Sequence, residues 1–317
     1  MEGLIHAFDL DGLGGVTPSP YPFERNHCAQ WIHLNFDNPG AKQWLRNESQ
    51  IDPIVVEALL AEESRPRFNQ YDNGVLLILR GVNLNPDEDP EDMVSIRIWL
   101  EEGRIISTRR RVLLSVQDTV KRLKEGKGPR DSGELITTLC QRLTGRVADF
   151  VDRVDDQVTS IEDRVVDQPK QEHRKQVADL KRQIIALRRY LLPEQEAFDG
   201  IIESDSPLLS EHDRRVVEEI NERLMRKLDQ LESVSERISV IIEQLVSYTT
   251  DLLNQRMYLL SIISAVFLPL GFLTGLLGVN IGGIPGTESP WAFTYFVAGL
   301  TAISALMLWY FYRNRWM

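Results

Sequence analysis

Two sets of residues in this chain have the types and spacing to handle a metal cation. The first is a line of sevens: Glu222, Asp229, Glu236, Glu243, Thr250, Met257, Ser264, Gly271 and Gly278. Carboxylates fill its first half and neutral, mostly small residues its second. A flanking line, Ser247, Asn254, Ser261, Leu268 and Gly275, has the same neutral character. Residues seven apart fall on nearly one face of an α-helix, so both lines describe a helix face that turns from acidic to small and polar. With several copies around an axis, each carboxylate becomes a ring, and such rings favour cations in a pore. Two plainer readings compete. Acids on a helix are commonly a solvated face, and Gly271-Leu-Leu-Thr-Gly275 suits a Gly-xxx-Gly contact between helices. The second set is His27, Cys28 and His33. Imidazole and thiolate are zinc ligands. These three fall in a strand pattern, where alternation sends some side chains into the core.

The first set needs a long helix to position it. From Glu211 to Pro269 the chain has neither Pro nor Gly, which predicts one unbroken helix continuing to about Gly278. A second heptad line, Val217, Leu224, Leu231, Ile238, Leu245, Leu252 and Leu259, is apolar throughout, with Ile220, Val234 and Ile241 beside it. It predicts a packing seam for neighbouring helices and suggests oligomeric association. A straight helix drifts about 20° per heptad, so a line of sevens keeps to one axis only if the helices supercoil.

The far end of that helix is apolar. Residues 257–287 carry no Asp, Glu, Lys or Arg, and neither do residues 289–312. Crossing the hydrocarbon core takes about 20 mostly apolar residues, so both stretches are expected to span a membrane, joined by a short loop. Arg256, Arg313 and Arg315 flank the spans, whereas the loop from Asn280 to Pro290 has Glu288 as its one charge. The positive-inside rule then puts both termini in the cytosol, and Trp291, Tyr295, Trp309, Tyr310, Tyr312 and Trp316 mark the interfaces. Met1–Leu10 lacks the basic and apolar regions of a signal peptide, and two cysteines, Cys28 and Cys140, suggest no disulfide framework. A net charge of −11 argues against nucleic acid. The excess acid precedes the spans, where it attracts cations to the membrane surface as well as keeping the domain soluble.

Residues 1–130 predict a cytosolic α/β sheet domain. Strand patterns occur at Gly3–Leu10, Ala29–Phe36, Gly74–Leu84, Met93–Leu100 and Arg104–Thr108, and helical ones at Ala41–Asn47, Pro53–Glu62 and Leu113–Lys124. Residues 131–210 predict a cytosolic helical hairpin, Ser132–Asp167 with Lys170–Tyr190, broken by Pro169 and Pro193. There follow a stalk helix (211–256), a first, pore-lining transmembrane helix (257–279), a periplasmic loop (280–290), a second transmembrane helix (291–312) and a cytosolic tail (313–317). Asp9-Leu10-Asp11-Gly12 lacks the later ligands of a calcium loop, and Gly12 to Gly15 is not followed by Gly-Lys-Ser/Thr. No nucleophile is paired with a base, so no enzyme is indicated.

Gly278-Val279-Asn280, closing the first of two C-terminal spans, resembles the Gly-x-Asn triplet of the CorA superfamily of divalent-cation transporters. Asn254-Gln-Arg-Met257, Phe267-Leu-Pro269-Leu, Arg65-Pro66-Arg67 before Tyr71-Asp72, and Arg104-Ile-Ile-Ser-Thr-Arg-Arg are similar to further parts of that family. The resemblance implies a homopentameric funnel in the bacterial inner membrane: an α/β cytosolic domain, a long stalk helix that becomes the pore-lining span, and an outer second span. It also implies that Asn280, beside Gly278 and Val279, meets a hydrated cation at the pore mouth. Val279 stands where magnesium-transporting members have Met. With the Gly-Gly-Ile-Pro-Gly that follows, the triplet resembles the bacterial zinc-transporting branch, which implies proton-coupled Zn²⁺ movement, uptake first and efflux as the other direction. The expected partners are further copies of the chain, membrane lipid and the transported ion, with no resident cofactor. The spans hold no His, Cys, Asp or Glu. An ion there would pass hydrated, touched by Asn, Ser, Thr and carbonyl oxygens, which separate Zn²⁺ from Mg²⁺ poorly. A channel-like Mg²⁺/Co²⁺ transporter of the same fold, and a membrane-anchored coiled-coil scaffold or sensor, are the alternatives.

Overall fold

The apolar run Gly74-Val-Leu-Leu-Ile-Leu-Arg-Gly81 is too continuous for a strand with one wet face, whereas Val94-Ser-Ile-Arg-Ile-Trp-Leu-Glu101 sets Ser95, Arg97 and Glu101 between apolar residues and is nonetheless buried along nearly its whole length. In the structure, a computed structural model that describes residues 1–23, 29–167, 170–278, 286 and 289–313, they are the adjacent interior strands β5 and β6. The chain forms two compact units, Met1–Ile242 and Glu243–Met317.

In the first unit seven strands make one sheet: β1 (Leu4–Leu10), β2 (Val16–Pro18), β3 (Gln30–Asn35), β4 (Arg67–Tyr71), β5 (Gly74–Gly81), β6 (Val94–Glu101) and β7 (Arg104–Arg109). Their order is β2-β1-β3-β7-β6-β5-β4. The β3–β7 pair is parallel and the rest are antiparallel. The sequence reading missed the two outermost strands, β2 and β4. Both are short and largely exposed, and β4 reads Arg-Phe-Asn-Gln-Tyr. Polar, short edges keep a sheet from pairing with other chains, and they lack the apolar alternation that reveals a strand.

Helices α1 (Pro39–Asn47) and α2 (Pro53–Leu60) start at Asn38 and Asp52. Their side chains accept from Gly40 N and Ile54 N at 2.9 and 2.7 Å, with Pro in the first turn of each. Val55, Val56 and Leu59 pack with Ile32, Leu34, Leu76, Ile78 and Trp99 into one buried cluster. Helices α3 (Leu114–Lys124), α4 (Ser132–Asp167) and α5 (Gln171–Glu203) complete the unit's packing, α4 against α5 and both against β5.

One expectation is corrected here. Pro193 does not end α5, which runs through it to Glu203. A proline inside a helix costs about 3 kcal/mol in isolation. Beyond it, Ala197, Phe198 and Ile201 are fully buried on the side where α5 packs against β4 and β5. Burying an apolar side chain is worth about 1.5–3 kcal/mol, so packing outweighs the break.

Helix α6 (Glu211–Leu277) begins in the first unit. The rest of it and α7 (Ala292–Arg313) are the helices of the second.

Candidate cation pathway

The seven-residue lines of α6 separate cleanly in the first unit. Val217, Ile220, Leu224, Leu231, Val234, Ile238 and Ile241 are all buried. The chain's own α4 and α5 supply the neighbours. Lys227 Nζ reaches Asp152 at 2.6 Å, Arg237 reaches Asp155 at 2.7 Å and Glu162 at 2.6 Å, and Arg188 of α5 reaches Glu232 at 2.6 Å. This corrects the oligomer reading of the seam over these residues: one chain suffices to cover it. The scaffold alternative loses the same support.

Glu222, Asp229, Glu236 and Glu243 lie on exposed positions of α6. Glu222 pairs with Arg226 at 3.6 Å, both on the helix surface. The basic residues Lys227 and Arg237 are drawn to the acids of α4, so the exposed line keeps its negative character.

In the second unit the covering fades along the line: Leu245 is still buried, Leu252 is half-buried and Leu259 is exposed. Both helices are long and apolar enough to cross a membrane. On α6 the chain shields Ile262, Val266, Pro269, Leu270 and Leu273. On α7 it shields Phe296, Leu300, Ser304, Met307 and Phe311. These spacings of three and four are one face of each helix. At about 100° per residue, Ser264, Gly271 and Gly278 fall on the opposite side of α6 from its shielded stripe, with Met257, Ser261, Leu268 and Gly275 beside them. Asn254, Ser261, Ser264, Gly271, Gly275 and Gly278 are exposed, and Met257 and Leu268 are 62% and 74% exposed.

Two observations give this face its chemistry. No other described part of the chain comes within 4 Å of where a Cβ would stand on Gly271 or Gly275, so no Gly-xxx-Gly contact forms there among the described residues. Ser261 Oγ donates to Met257 O at 2.9 Å, and Thr274 Oγ1 to Leu270 O at 3.0 Å. A hydroxyl that spends its proton on its own helix retains oxygen lone pairs for an outside partner, which suits a hydrated cation. At the end of the line Gly278 N closes on Thr274 O at 2.9 Å. Val279 and Asn280 lie outside the described residues, as do His27 and Cys28.

His33 is fully buried on β3. Its Nδ1 is 2.7 Å from Ser107 Oγ, its ring stacks on His6 at 4.9 Å, and its Nε2 meets no partner among the described residues. Burial holds the imidazole well below its ordinary range, with nearby His6 and Arg109 adding to that. No group of three His, Cys, Asp or Glu side chains stands close enough to share a metal among the described residues.

The sequence reading missed the shielded stripe of α6, whose signal is the 3–4 spacing of Ile262, Val266, Leu270 and Leu273. It also missed Arg80 and Arg97, whose signal is an arginine flanked by apolar residues inside each of two adjacent strands.

The profile of the CorA-like Mg²⁺ transporter protein family matches residues 27–313. The zinc transport protein ZntB of Pectobacterium carotovorum is 35% identical over 317 residues, covering all of this chain and 97% of that protein. ZntB of Yersinia enterocolitica is 34% identical over 318 residues, covering all of this chain and 97% of its own. Among solved structures, full-length CmaX superposes with a TM-score of 0.85 at 36% identity, covering 99% of this chain and 98% of its own. The CorA magnesium transporter of Methanocaldococcus jannaschii superposes with a TM-score of 0.86 at 17% identity, covering 99% of each chain, and bears on the fold alone. A sheet domain, a helix carrying an exposed acidic-to-small face, a second apolar helix, and matches along almost the whole chain make it a member of the CorA-like family of metal-ion transporters.

Proposed function

We propose that this chain moves Zn²⁺ across the bacterial inner membrane, by proton-coupled uptake, through a homopentameric pore lined by α6. The observation that carries the reading is the small, polar face of α6, left uncovered on the side away from the shielded stripe and continuous with the line of exposed carboxylates. In five-fold assembly Glu222, Asp229, Glu236 and Glu243 form acidic rings that gather cations. Asn254, Met257, Ser261, Ser264, Leu268, Gly271 and Gly275 line the path, and Gly278, Val279 and Asn280 form its mouth. Weak, repeated oxygen contacts let a hydrated ion enter and leave. Zinc as cargo follows the relatives, which are zinc transport proteins. Both termini lie in the cytosol, on the strength of Arg256, Arg313 and the Lys- and Arg-free loop.

The test is zinc flux into liposomes holding the purified chain, with and without an inward proton gradient, with Mg²⁺ as competitor. Zinc flux that the gradient stimulates supports the reading. Flux of Mg²⁺ or Co²⁺ in preference to Zn²⁺, indifferent to the gradient, favours the second reading, a channel-like transporter. That reading has one observation behind it: the spans offer oxygen but no nitrogen or sulfur ligand apart from methionine. A cysteine placed at Thr287 tests the topology, by labelling with an impermeant thiol reagent in intact spheroplasts.

A further inference from the structure

A cleft of about 620 Å³ opens in the first unit, between the segment that follows α2, the strands β5 and β6, and α5. It lies in a chain of net charge −11, yet six arginines line it against three carboxylates. Two of the arginines are already matched: Arg110 pairs with Asp37 at 3.0 Å, and Arg111 with Glu88 at 3.3 Å and with Asp92. Arg65, Arg80, Arg97 and Arg189 have no carboxylate at ion-pair distance among the described residues.

The sheet register brings two of these together. Arg80 stands opposite Ser95, and Arg97 lies two residues along the same strand, so both side chains leave the same face. Arg80 Nε and Nη1 donate to Ser64 O and Met93 O at 3.0 and 2.6 Å, and its guanidinium lies over the Tyr190 ring at 4.1 Å. Arg97 is 1% exposed. Its Nη2 donates to Ala61 O and Glu62 O, at the C-terminal end of α2. Its Nε and Nη1 have no partner among the described residues, and neither has Ser64 Oγ in the same lining. Burial, and then the charge of Arg80, brings the Arg97 guanidinium down to about 10. Buried donors are nearly always satisfied, and a buried charge needs a counter-charge. The Phe36 ring, 4.5 Å from the Arg97 guanidinium carbon, can attract the positive charge. It does not replace acceptors in the guanidinium plane.

We propose that this cleft binds a phosphoryl anion, of the size of pyrophosphate or the polyphosphate of a small molecule. The planar guanidinium fork matches phosphate oxygens two at a time, and hydroxyls complete the set. The volume lies in the range of small-molecule sites and exceeds the needs of a single phosphate. Arg65 and Arg189 are exposed on the cleft and able to close on the anion, while Arg80 and Arg97 form its floor.

The experiment titrates pyrophosphate into the full-length, detergent-purified chain by calorimetry in metal-free buffer. Chloride at matched ionic strength is the control. The expected result is one saturable site per chain. Arg65→Gln and Arg189→Gln should each weaken it about tenfold, the scale of one charge-assisted contact, while Arg46→Gln, at an exposed pair with Glu57 outside the cleft, leaves it unchanged. These three positions are exposed, so the variants keep the fold. Arg97→Lys, checked for an unchanged melting curve, keeps the charge but loses the fork and should bind more weakly. Binding no stronger than chloride, or pyrophosphate binding that Arg65→Gln and Arg189→Gln leave intact, overturns the proposal. The readout is binding without zinc, so its failure is distinct from failure of the transport reading.

Discussion

The two ends of α6 carry the same seven-residue spacing and meet opposite surroundings. Leu231 and Leu259 stand four heptads apart on one apolar line, yet Leu231 is fully buried and Leu259 is 58% exposed. Toward the N-terminus the apolar line is inside and the polar line is outside, as in any water-soluble helix packed on its neighbours. Toward the C-terminus one apolar stripe is shielded, but Leu259, Phe267 and Phe272 are exposed, and the small polar line shares that exposure. A period therefore reports that a helix has faces. What each face meets depends on its solvent and neighbours. Lipid leaves apolar surface no reason to hide, so there the exception is the serine and glycine face.

The largest expected effect breaks that comparison at Gly271. Gly271→Leu should abolish zinc flux in liposomes while leaving the melting temperature of the purified chain unchanged, since a Cβ there meets nothing of the described chain within 4 Å. Flux at the normal rate removes this face from the pathway. Asn280→Gly, which keeps backbone freedom and deletes the amide, should assemble normally and lose zinc-dependent flux. Normal transport would leave the path to Asn254, Ser261 and Ser264.

Next comes the seam itself. Leu231→Ala should cost about 2–5 kcal/mol in the unfolding of the purified chain, whereas Leu259→Ala should stay within about 0.5 kcal/mol. A loss at Leu259 as large as at Leu231 sharpens the comparison instead, because it locates a contact between copies. Arg237→Met removes the pairs to Asp155 and Glu162 that hold α6 to α4. Those groups are about a third exposed, so the expected loss is about 1 kcal/mol, read from the shift in denaturation midpoint.

The smallest effect is a slope with pH. The spans hold no titratable carboxylate or imidazole, so the pH dependence of stability should arise outside them. There Glu194 is buried, its Oε2 accepting from Arg80 N at 3.4 Å, and burial raises its pKa from 4.5 to about 8. Between those values the folded chain holds a proton that the unfolded chain has released. The contribution of Glu194 is therefore full below about 4.5 and is lost as pH rises toward 8. Glu194→Gln should flatten that part of a melting-temperature profile, and an unchanged profile would assign the slope elsewhere.

Much of this architecture was legible because it is local. The start of α2 at Pro53 and both ends of Ser132–Asp167 were read as they stand, and α1 was read to its end at Asn47 though it starts at Pro39 rather than Ala41, since periodicity acts over a few residues. The apolar spans were legible because hydrocarbon needs length without charge. Edge strands β2 and β4 were not, since their pairing partners rather than their own pattern make them strands. Nor was the passage of α5 through Pro193, where distant packing outweighs a local break.

Along α6 the sequence is enough to say which residues share a line, because 3.6 residues per turn makes that arithmetic. Folding decided that the Val217–Ile241 seam is covered by this chain's own α4 and α5, and that a Cβ on Gly271 or Gly275 would meet nothing within 4 Å among the described residues. It also decided that two arginines from neighbouring strands share a cleft. Periodicity belongs to one helix, whereas coverage and the sharing of a cavity belong to segments that meet only after the chain has folded.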